Sequence, residues 1–209
     1  MSVSPTGDLL AGRNGGFDEC SSNGNISQSV SGTPIFKRVV TLGLAMYGNV
    51  FSMQCYGNNI YVLYHESCGG KRRRDIRVFD SSYKQNSKWS VPNYEHNCGI
   101  AVANNKVYVP DPENQQLNIY STDGKLLTSL THPPSFSKPN HLSACSECSI
   151  IISDCGTDQV HKLGTKDDSI LWTCKQVKDP RGVGSETNGD VWVWSNNTKS
   201  IFKLSSESG

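Results

Sequence analysis

Four consecutive cations, Lys71, Arg72, Arg73 and Arg74, form the densest cluster of charge in the sequence. Ammonium and guanidinium groups placed side by side can bind a phosphate, an RNA backbone or an acidic peptide. A solvated loop is the alternative explanation, and the run contains no aromatic residue on which a base could stack. We predict that these four residues contact a partner.

A second group of residues has the types that bind metal. Cys145 and Cys148 are two residues apart, and His141 and Cys155 are nearby in the sequence. Structural zinc sites usually need two such cysteine pairs, and only one is present here. We therefore predict no metal and no cofactor. Free thiols in a reducing compartment are expected, and disulfides in a secreted protein are the alternative.

The element that must position these residues is a repeated unit of four short strands, clearest in residues 97–130. Val107–Val109 is an apolar strand that Pro110 closes, because proline has no N–H for a ladder. Leu117–Tyr120 alternates with period two, as a half-buried strand does, and the Asp123-Gly124 turn leads to a fourth strand. This pattern predicts an antiparallel meander.

The same landmarks return at intervals of about 40 residues, which is the mark of a β-propeller built from four-stranded antiparallel blades. We therefore predict an all-β fold, with the whole chain as one propeller. The predicted blades are residues 47–92, 93–137 and 138–178, between partial blades at 1–46 and 179–209.

Residues 1–46 allow two strand assignments. The preferred one takes Ile26–Val30 as the third strand and Phe36–Leu42 as the fourth. The other takes Phe17–Cys20 as the third strand and Ile26–Val30 as the fourth. Because both end blades look incomplete, we expect a fragment of a longer polypeptide, with a closed five-bladed ring as the alternative.

The phrase VYVPDPENQQLNIYSTDGKLL and the opening Pro180-Arg181-Gly182-Val183 resemble the NHL repeat. The resemblance implies a six-bladed propeller and a link to tripartite-motif proteins. There the propeller would be the substrate-recognition part of a ubiquitin ligase, whose RING and B-box would lie upstream. Any ligase activity would therefore reside outside these residues. Since a propeller supports many functions, the resemblance indicates fold better than activity.

The resemblance also implies which face of the propeller meets partners. The basic run would lie in a loop between second and third strands, and Tyr94, His96, His141 and Arg181 would lie near the starts of first strands on the same face. We predict a non-catalytic binding platform and scaffold for a protein, with RNA possible through the basic loop. Neither a membrane nor a small-molecule substrate is predicted.

The alternative function is a propeller enzyme, a metal-dependent lyase or a lactonase-like hydrolase, with His96, Asn140 and His141 approaching the central channel. Neutral imidazoles bind metals well, but Arg181 at the matching position of the last copy would repel a cation. No HExxH, GxSxG or phosphate-binding glycine loop occurs, so no catalytic residue is predicted.

Composition agrees with a turn-rich β protein: 35% of the 209 residues are hydrophobic and 19 are glycine. The formal net charge of +1 creates no strong general attraction to nucleic acid or membranes. No apolar run nears the ~20 residues that span a bilayer, and residues 1–16 do not resemble a signal peptide. We expect a cytoplasmic location, where the cysteines would be reduced. Trp89, Trp172, Trp192 and Trp194 are expected to fill the wedges between sheets.

Overall fold

The structure is a computed structural model that describes residues 2–3, 9–13, 16–20, 26–31, 47–68, 71–93, 98–131, 136–146, 148–186 and 188–207. These residues form 19 strands joined by turns. None of the described segments is a helix long and apolar enough to cross a membrane. The chain divides into two compact units, residues 1–93 and residues 94–209, and each is described by itself.

The first sheet of unit 1 pairs its strands in chain order: β1 (Ser2–Val3), β2 (Leu9–Arg13), β3 (Gly16–Cys20) and β4 (Ile26–Ser31). The preferred strand assignment for this segment is therefore wrong, and the other one is correct. Arg13 pairs with Gly16, so only two residues join β2 to β3. Their sequence, Asn14-Gly15, is the strongest short-range hairpin signal. Residues 36–42 lie outside the described residues.

The second sheet of unit 1 contains the longest strands: β5 (Tyr47–Tyr56), β6 (Asn59–Cys68), β7 (Lys71–Asp80) and β8 (Gln85–Val91). Its apolar cluster is formed by Met53, Ile60, Val62 and Phe79. β6 and β7 pair along their full length, from Asn59 with Asp80 to Cys68 with Lys71. This hairpin positions the basic run.

Unit 2 contains three sheets, each antiparallel and in chain order. Their strands are β9 (Ala101–Ala103), β10 (Lys106–Asp111), β11 (Gln116–Ser121) and β12 (Leu126–Leu130); β13 (Pro139–Ser146), β14 (Ser149–Asp154), β15 (Gln159–Gly164) and β16 (Ile170–Cys174); and β17 (Pro180–Ser185), β18 (Val191–Ser195) and β19 (Ser200–Leu204). The strands predicted around 107–109, 117–120 and 126–130 are present. Asn104 and Asn105 have φ of 50° and 56°, which asparagine tolerates in the turn between β9 and β10.

The three sheets of unit 2 stack face to face. β13 contacts β10 on one side and β17 on the other. The core between the first two sheets includes Ala101, Leu117 and Ile150, and the core between the second and third includes Ile151, Val160 and Val193. Antiparallel four-stranded sheets arranged in this way make the protein a β-propeller, so the predicted fold class is confirmed.

A polar link joins the first two sheets of unit 2. Lys106 Nζ lies 2.8 Å from Asp168 Oδ2 and donates to the Thr165 carbonyl at 2.9 Å. The Tyr108 hydroxyl donates to Asp168 Oδ1 at 3.0 Å. Burial and the Asp168 carboxylate both raise the pKa of Tyr108, so this phenol stays protonated and keeps donating. The link therefore joins the start of β10 in the first sheet to the turn between β15 and β16 in the second sheet.

His161 is fully buried on β15 between two side chains of the same unit. Its Nδ1 lies 2.9 Å from Thr173 Oγ1. Its ring packs edge to face against Phe136, with the two ring centres 5.7 Å apart. Burial lowers the pKa of His161 from 6.5 to about 4, although the Asp154 carboxylate acts in the opposite direction. The imidazole is therefore neutral in the folded protein at neutral pH.

Acidification is expected to destabilise unit 2 through His161. The unfolded chain takes up a proton near pH 6.5 and the folded chain only near pH 4, so this contribution to stability is complete above pH 6.5 and is lost as the pH falls to 4. The loss amounts to about 3 kcal/mol. Urea unfolding at several pH values should show a shallower pH dependence for His161→Asn, whose amide can still reach Thr173. Equal dependence in both proteins would contradict the prediction.

The three tryptophans of unit 2 divide into two groups. Trp172 packs against the core between the second and third sheets, and its indole N–H donates to the Ser206 carbonyl at 3.2 Å, as expected for a residue between sheets. Trp192 and Trp194 instead lie on the exposed side of β18. The prediction that these two fill a wedge is wrong in this structure, because Val191 and Val193 take the buried side of the strand.

Candidate functional site

The basic run lies on a strand. Lys71–Arg74 begin β7, and the predicted loop position is wrong, because β6 and β7 pair as a regular hairpin as far as Cys68 and Lys71. β8 pairs with β7 only as far as Arg74 with Val91. Lys71, Arg72 and Arg73 therefore extend past β8. The Asn93 side chain closes this end of the sheet by donating to the Arg72 carbonyl at 3.0 Å.

Burial divides the run into two parts. Arg72 and Arg73 are exposed, while Arg74 is only 1% exposed. The Arg74 guanidinium lies 5.5 Å from the centre of the Phe51 ring, and that ring stacks on His65 at 5.3 Å. Arg74 is thus part of the packing of the sheet, whereas Arg72 and Arg73 carry the positive charge that is exposed to solvent.

A surface cleft of about 220 Å³ adjoins these arginines. We call it the basic cleft, and its lining residues are Arg72, Arg73, Arg74, Asp75, Lys88, Ser90, Val91 and Asn93. No motif in the sequence predicts that Lys88 and Asn93 lie beside the run. Exposed and partly buried residues alternate along β8. This alternation places Lys88 on an exposed face but does not show which residues of other strands share that face.

Asp75 organises the charges below the basic cleft. Its buried carboxylate lies 2.9 Å from Lys88 Nζ, accepts from the Ser90 hydroxyl at 3.0 Å and lies 3.7 Å from Arg77. Asp75 therefore offsets the charge of Lys88, and Arg72 and Arg73 dominate the field. Burial lowers the pKa of His65, and Arg74 and Arg72 lower it further, as expected in a positive potential.

In unit 2, two of the other predicted site residues, His141 and Arg181, are linked through Ser153. The Ser153 hydroxyl accepts from the His141 N–H at 3.0 Å and donates to the Arg181 carbonyl at 2.6 Å. The His141 ring packs against Gly99, where an added Cβ would lie 3.0 Å from Nδ1. Burial lowers the pKa of His141. The His141 ring is therefore a neutral packing element, and the Ser153 hydroxyl on β14 links the backbone of β13 to that of β17.

The Arg181 side chain is half exposed and pairs with Asp179, Nε to Oδ1 at 2.8 Å. It borders a pocket of about 100 Å³, whose lining residues are Pro112, Lys138, Pro139, Asn140, Cys155 and Arg181. Tyr94 and His96 lie outside the described residues.

The candidate metal ligands do not form a site in the described part of the chain. No group of three or more histidine, cysteine, aspartate or glutamate side chains in that part could hold a metal ion. Cys145 donates to the Gly189 carbonyl at 3.7 Å, whereas Cys155 donates to the Lys138 carbonyl at 3.6 Å. None of the cysteines whose side chains the structure describes forms a disulfide.

Comparisons by sequence identify no relative: no protein-family model matches the chain, and no curated protein matches it. Solved structures match by fold. A protein of unknown function from Bacteroides caccae has a TM-score of 0.68 at 12% identity, over 99% of this chain and 77% of that one. The WD40 β-propeller domain of Doa1 has a TM-score of 0.60 at 11% identity, over 98% and 67%.

An enzyme is also among the similar structures. Catalytically inactive virginiamycin B lyase from Staphylococcus aureus, with quinupristin, has a TM-score of 0.65 at 14% identity, over 98% of this chain and 65% of that one. At such identities the likeness shows the fold alone, and propellers with binding and catalytic roles share it. The class of protein is therefore a β-propeller.

Proposed function

We propose that this chain is a non-catalytic binding platform that holds an acidic segment of a protein partner in the basic cleft. The observation that carries the proposal is the exposure of Arg72 and Arg73 beside the cleft of about 220 Å³, where β7 extends past β8. Each guanidinium can bind a carboxylate through two parallel hydrogen bonds. Lys88 contributes less, since Asp75 pairs with it.

Three features favour an acidic protein segment over RNA. The formal net charge of +1 provides no extended field for a nucleic-acid backbone. None of the residues that line the cleft is aromatic, so bases have no stacking platform there. The cleft also has room for a few acidic side chains rather than for a long backbone.

We further propose that the propeller is of the NHL type. Its support is the turn that closes β10, where Asp111 Oδ1 accepts from the Asn114 N–H at 3.2 Å and Oδ2 from the Asn114 amide at 2.9 Å. This is the Asp-x-x-Asn turn of the repeat that the sequence resembles. A role in substrate recognition for a ligase rests on that resemblance.

The enzyme alternative gains no specific support from the described residues. His141 packs against Gly99, and Arg181 is paired with Asp179.

Changing Arg72 and Arg73 to serine is expected to weaken binding of a labelled oligoglutamate peptide about tenfold, because two charge-assisted contacts of about 0.7 kcal/mol each are lost. Fluorescence anisotropy at low and at physiological salt would measure the change. Arg74 is left intact, since its buried guanidinium supports the sheet. Single-stranded RNA is titrated in parallel.

The matched control is the double variant Lys125→Ser and Lys166→Ser, which removes the same charge from exposed positions of unit 2. It is expected to bind the peptide as the unchanged protein does. Equal weakening by both variants would indicate general charge attraction. RNA binding with a steep salt dependence that is lost in the arginine variant would replace the protein partner with a nucleic acid.

A further inference from the structure

The pocket of about 100 Å³ beside Arg181 lies entirely within unit 2, and we call it the Arg181 pocket. Its walls come from three neighbouring sheets. Pro112 follows β10, Pro139 and Asn140 begin β13, Cys155 follows β14, and Arg181 lies at the start of β17. Since β13 contacts both β10 and β17, the pocket lies at one end of these sheets.

Two of the lining residues have equivalent positions in adjacent sheets. Pro139 and Pro180 each pair with the last residue of the strand that follows, β14 and β18 respectively. The residues after these prolines, Asn140 and Arg181, are therefore equivalent, and both line the pocket. An amide and a guanidinium thus reach the same space from two sheets, and both groups carry N–H donors.

The charge of the Arg181 pocket is positive. Arg181 and Lys138 line it, and none of the described residues in its wall is acidic. Asp179 contacts Arg181 Nε through Oδ1 at 2.8 Å, but it does not line the pocket, and its Oδ2 accepts from the Asn196 amide at 2.7 Å. A guanidinium has five N–H groups, which is more than one carboxylate engages. The pocket therefore favours an anion.

Hydrogen bonds hold the wall of the pocket in place. Asn140 is only 8% exposed, and its amide donates to Cys155 Sγ at 3.8 Å. The Asn140 carbonyl accepts from the Gly99 N–H at 2.9 Å, and the Lys138 carbonyl accepts from the Cys155 N–H at 3.2 Å. Because the wall is already ordered, a ligand pays little to organise it.

Size and wall chemistry restrict the kind of anion. A volume of about 100 Å³ corresponds to about three water molecules at roughly 30 Å³ each, whereas drug-sized ligands need about 300–1,000 Å³. Pro112 and Pro139 present apolar rings and no N–H, so this side of the pocket suits carbon. A phosphate would turn oxygens toward the proline rings. A carboxylate with a short aliphatic stem suits both sides.

We propose that the Arg181 pocket binds the carboxylate of a short aliphatic acid. Arg181 binds the carboxylate oxygens, the Asn140 amide donates to one of them, and Lys138 adds positive charge at the rim. The aliphatic stem packs on the two prolines. The site does not include the basic cleft, so it goes beyond the proposed function. A free acid and the C-terminus of a peptide offer the same chemistry, and the test distinguishes them.

The test uses Cys155 as a reporter, because its side chain is in the wall of the pocket. Cys148 is exposed elsewhere in unit 2 and serves as the internal reference. Alkylation of the whole chain by iodoacetamide, a neutral reagent, is followed by mass spectrometry with increasing sodium propionate at constant ionic strength. We expect propionate to slow alkylation of Cys155 in a saturable way and to leave Cys148 unchanged. Propionamide, which has the same shape without the charge, should not protect Cys155.

Substitutions identify the charges that bind the carboxylate. Arg181→Gln should raise the propionate concentration for half protection at least about tenfold, since a charged hydrogen-bond partner is lost. Arg181→Gln also breaks the pair with Asp179, so Lys138→Gln is the second variant and should raise that concentration about threefold. Lys178→Gln is the matched control. It removes the same charge from an exposed residue that does not line the pocket, and it should change nothing.

Acetyl-trialanine with a free C-terminus is compared with its amide to find the source of the carboxylate. Protection by the free peptide at lower concentration than by propionate would support a chain terminus as the ligand, and the reverse order would support a free acid. Three results would each overturn the proposal: no protection by either carboxylate, equal protection by propionamide, or unchanged protection in both Arg181→Gln and Lys138→Gln. Tighter protection by inorganic phosphate than by propionate would replace the carboxylate with a phosphate ligand.

Discussion

Replacing Asp154 with alanine is expected to destabilise unit 2 by about 4 kcal/mol or more, since each buried donor that loses its acceptor costs roughly 1–3 kcal/mol. Asp154 is fully buried at the end of β14. Its carboxylate accepts from four backbone N–H groups, those of Ser137 at 2.7 Å, Lys138 at 2.8 Å, Gly156 at 2.9 Å and Thr157 at 3.3 Å.

These hydrogen bonds join two segments that lie just beyond the β13–β14 ladder, where the Cys155 N–H also donates to the Lys138 carbonyl at 3.2 Å. Ser137 and Lys138 precede β13, and Gly156 and Thr157 follow β14, so one carboxylate holds both segments at the end of the sheet where Pro139 pairs with Asp154. Asp154→Asn should cost less than Asp154→Ala. The amide oxygen can replace Oδ1 and its three donors, but the amide N–H₂ then opposes the Ser137 N–H.

Asp111→Ala is the matched control, because Asp111 is a buried aspartate at the same position of the preceding sheet. Its acceptor atoms serve one backbone N–H, that of Asn114, and the side-chain amides of Asn114, Gln116 and Asn118. Side-chain amides can turn toward water more easily than backbone can, so this loss should be less than half as large. Urea unfolding with hydrogen exchange would measure both, and equal losses would contradict the account.

The sequence predicts the strands of unit 2 well because their signals are local. Val107–Val109 and Leu117–Tyr120 combine apolar runs with turn residues, and asparagines at 104 and 105 adopt the positive φ that such turns need. The turn pair Asn14-Gly15, between the paired residues Arg13 and Gly16, is an equally local signal.

The basic run shows what sequence alone does not reveal. Four cations in a row suggest a loop, because a strand would turn alternate charges toward the core. The structure accommodates them by extending the β6–β7 hairpin past β8, so that Arg72 and Arg73 lie beyond the end of β8 and Arg74 packs on Phe51. Lys88 lies on β8 and Asn93 follows that strand, and their placement beside the run depends on register, which the sequence pattern does not fix.

Arg77 is the second buried charge whose removal should have a large effect, in this case on unit 1. It is 2% exposed on β7, with its guanidinium 3.8 Å from the centre of the Tyr64 ring. Its Nη2 lies 3.7 Å from Asp75 and 3.9 Å from Glu66. Breaking a buried charge pair by removing one partner typically costs about 3–5 kcal/mol, because the other charge stays buried.

Arg77→Met keeps most of the side-chain volume and removes the charge, so we expect it to destabilise unit 1 by about 3 kcal/mol. Adding Asp75→Asn should recover part of that loss, because the buried carboxylate is then neutral, even though the pair with Lys88 is also lost. A double-mutant cycle by urea unfolding, with hydrogen exchange read in residues 47–93, measures the coupling. If the two losses in stability simply add, Asp75 and Arg77 act independently. In that case the buried charges next to the basic cleft do not form a coupled pair that supports Arg72 and Arg73.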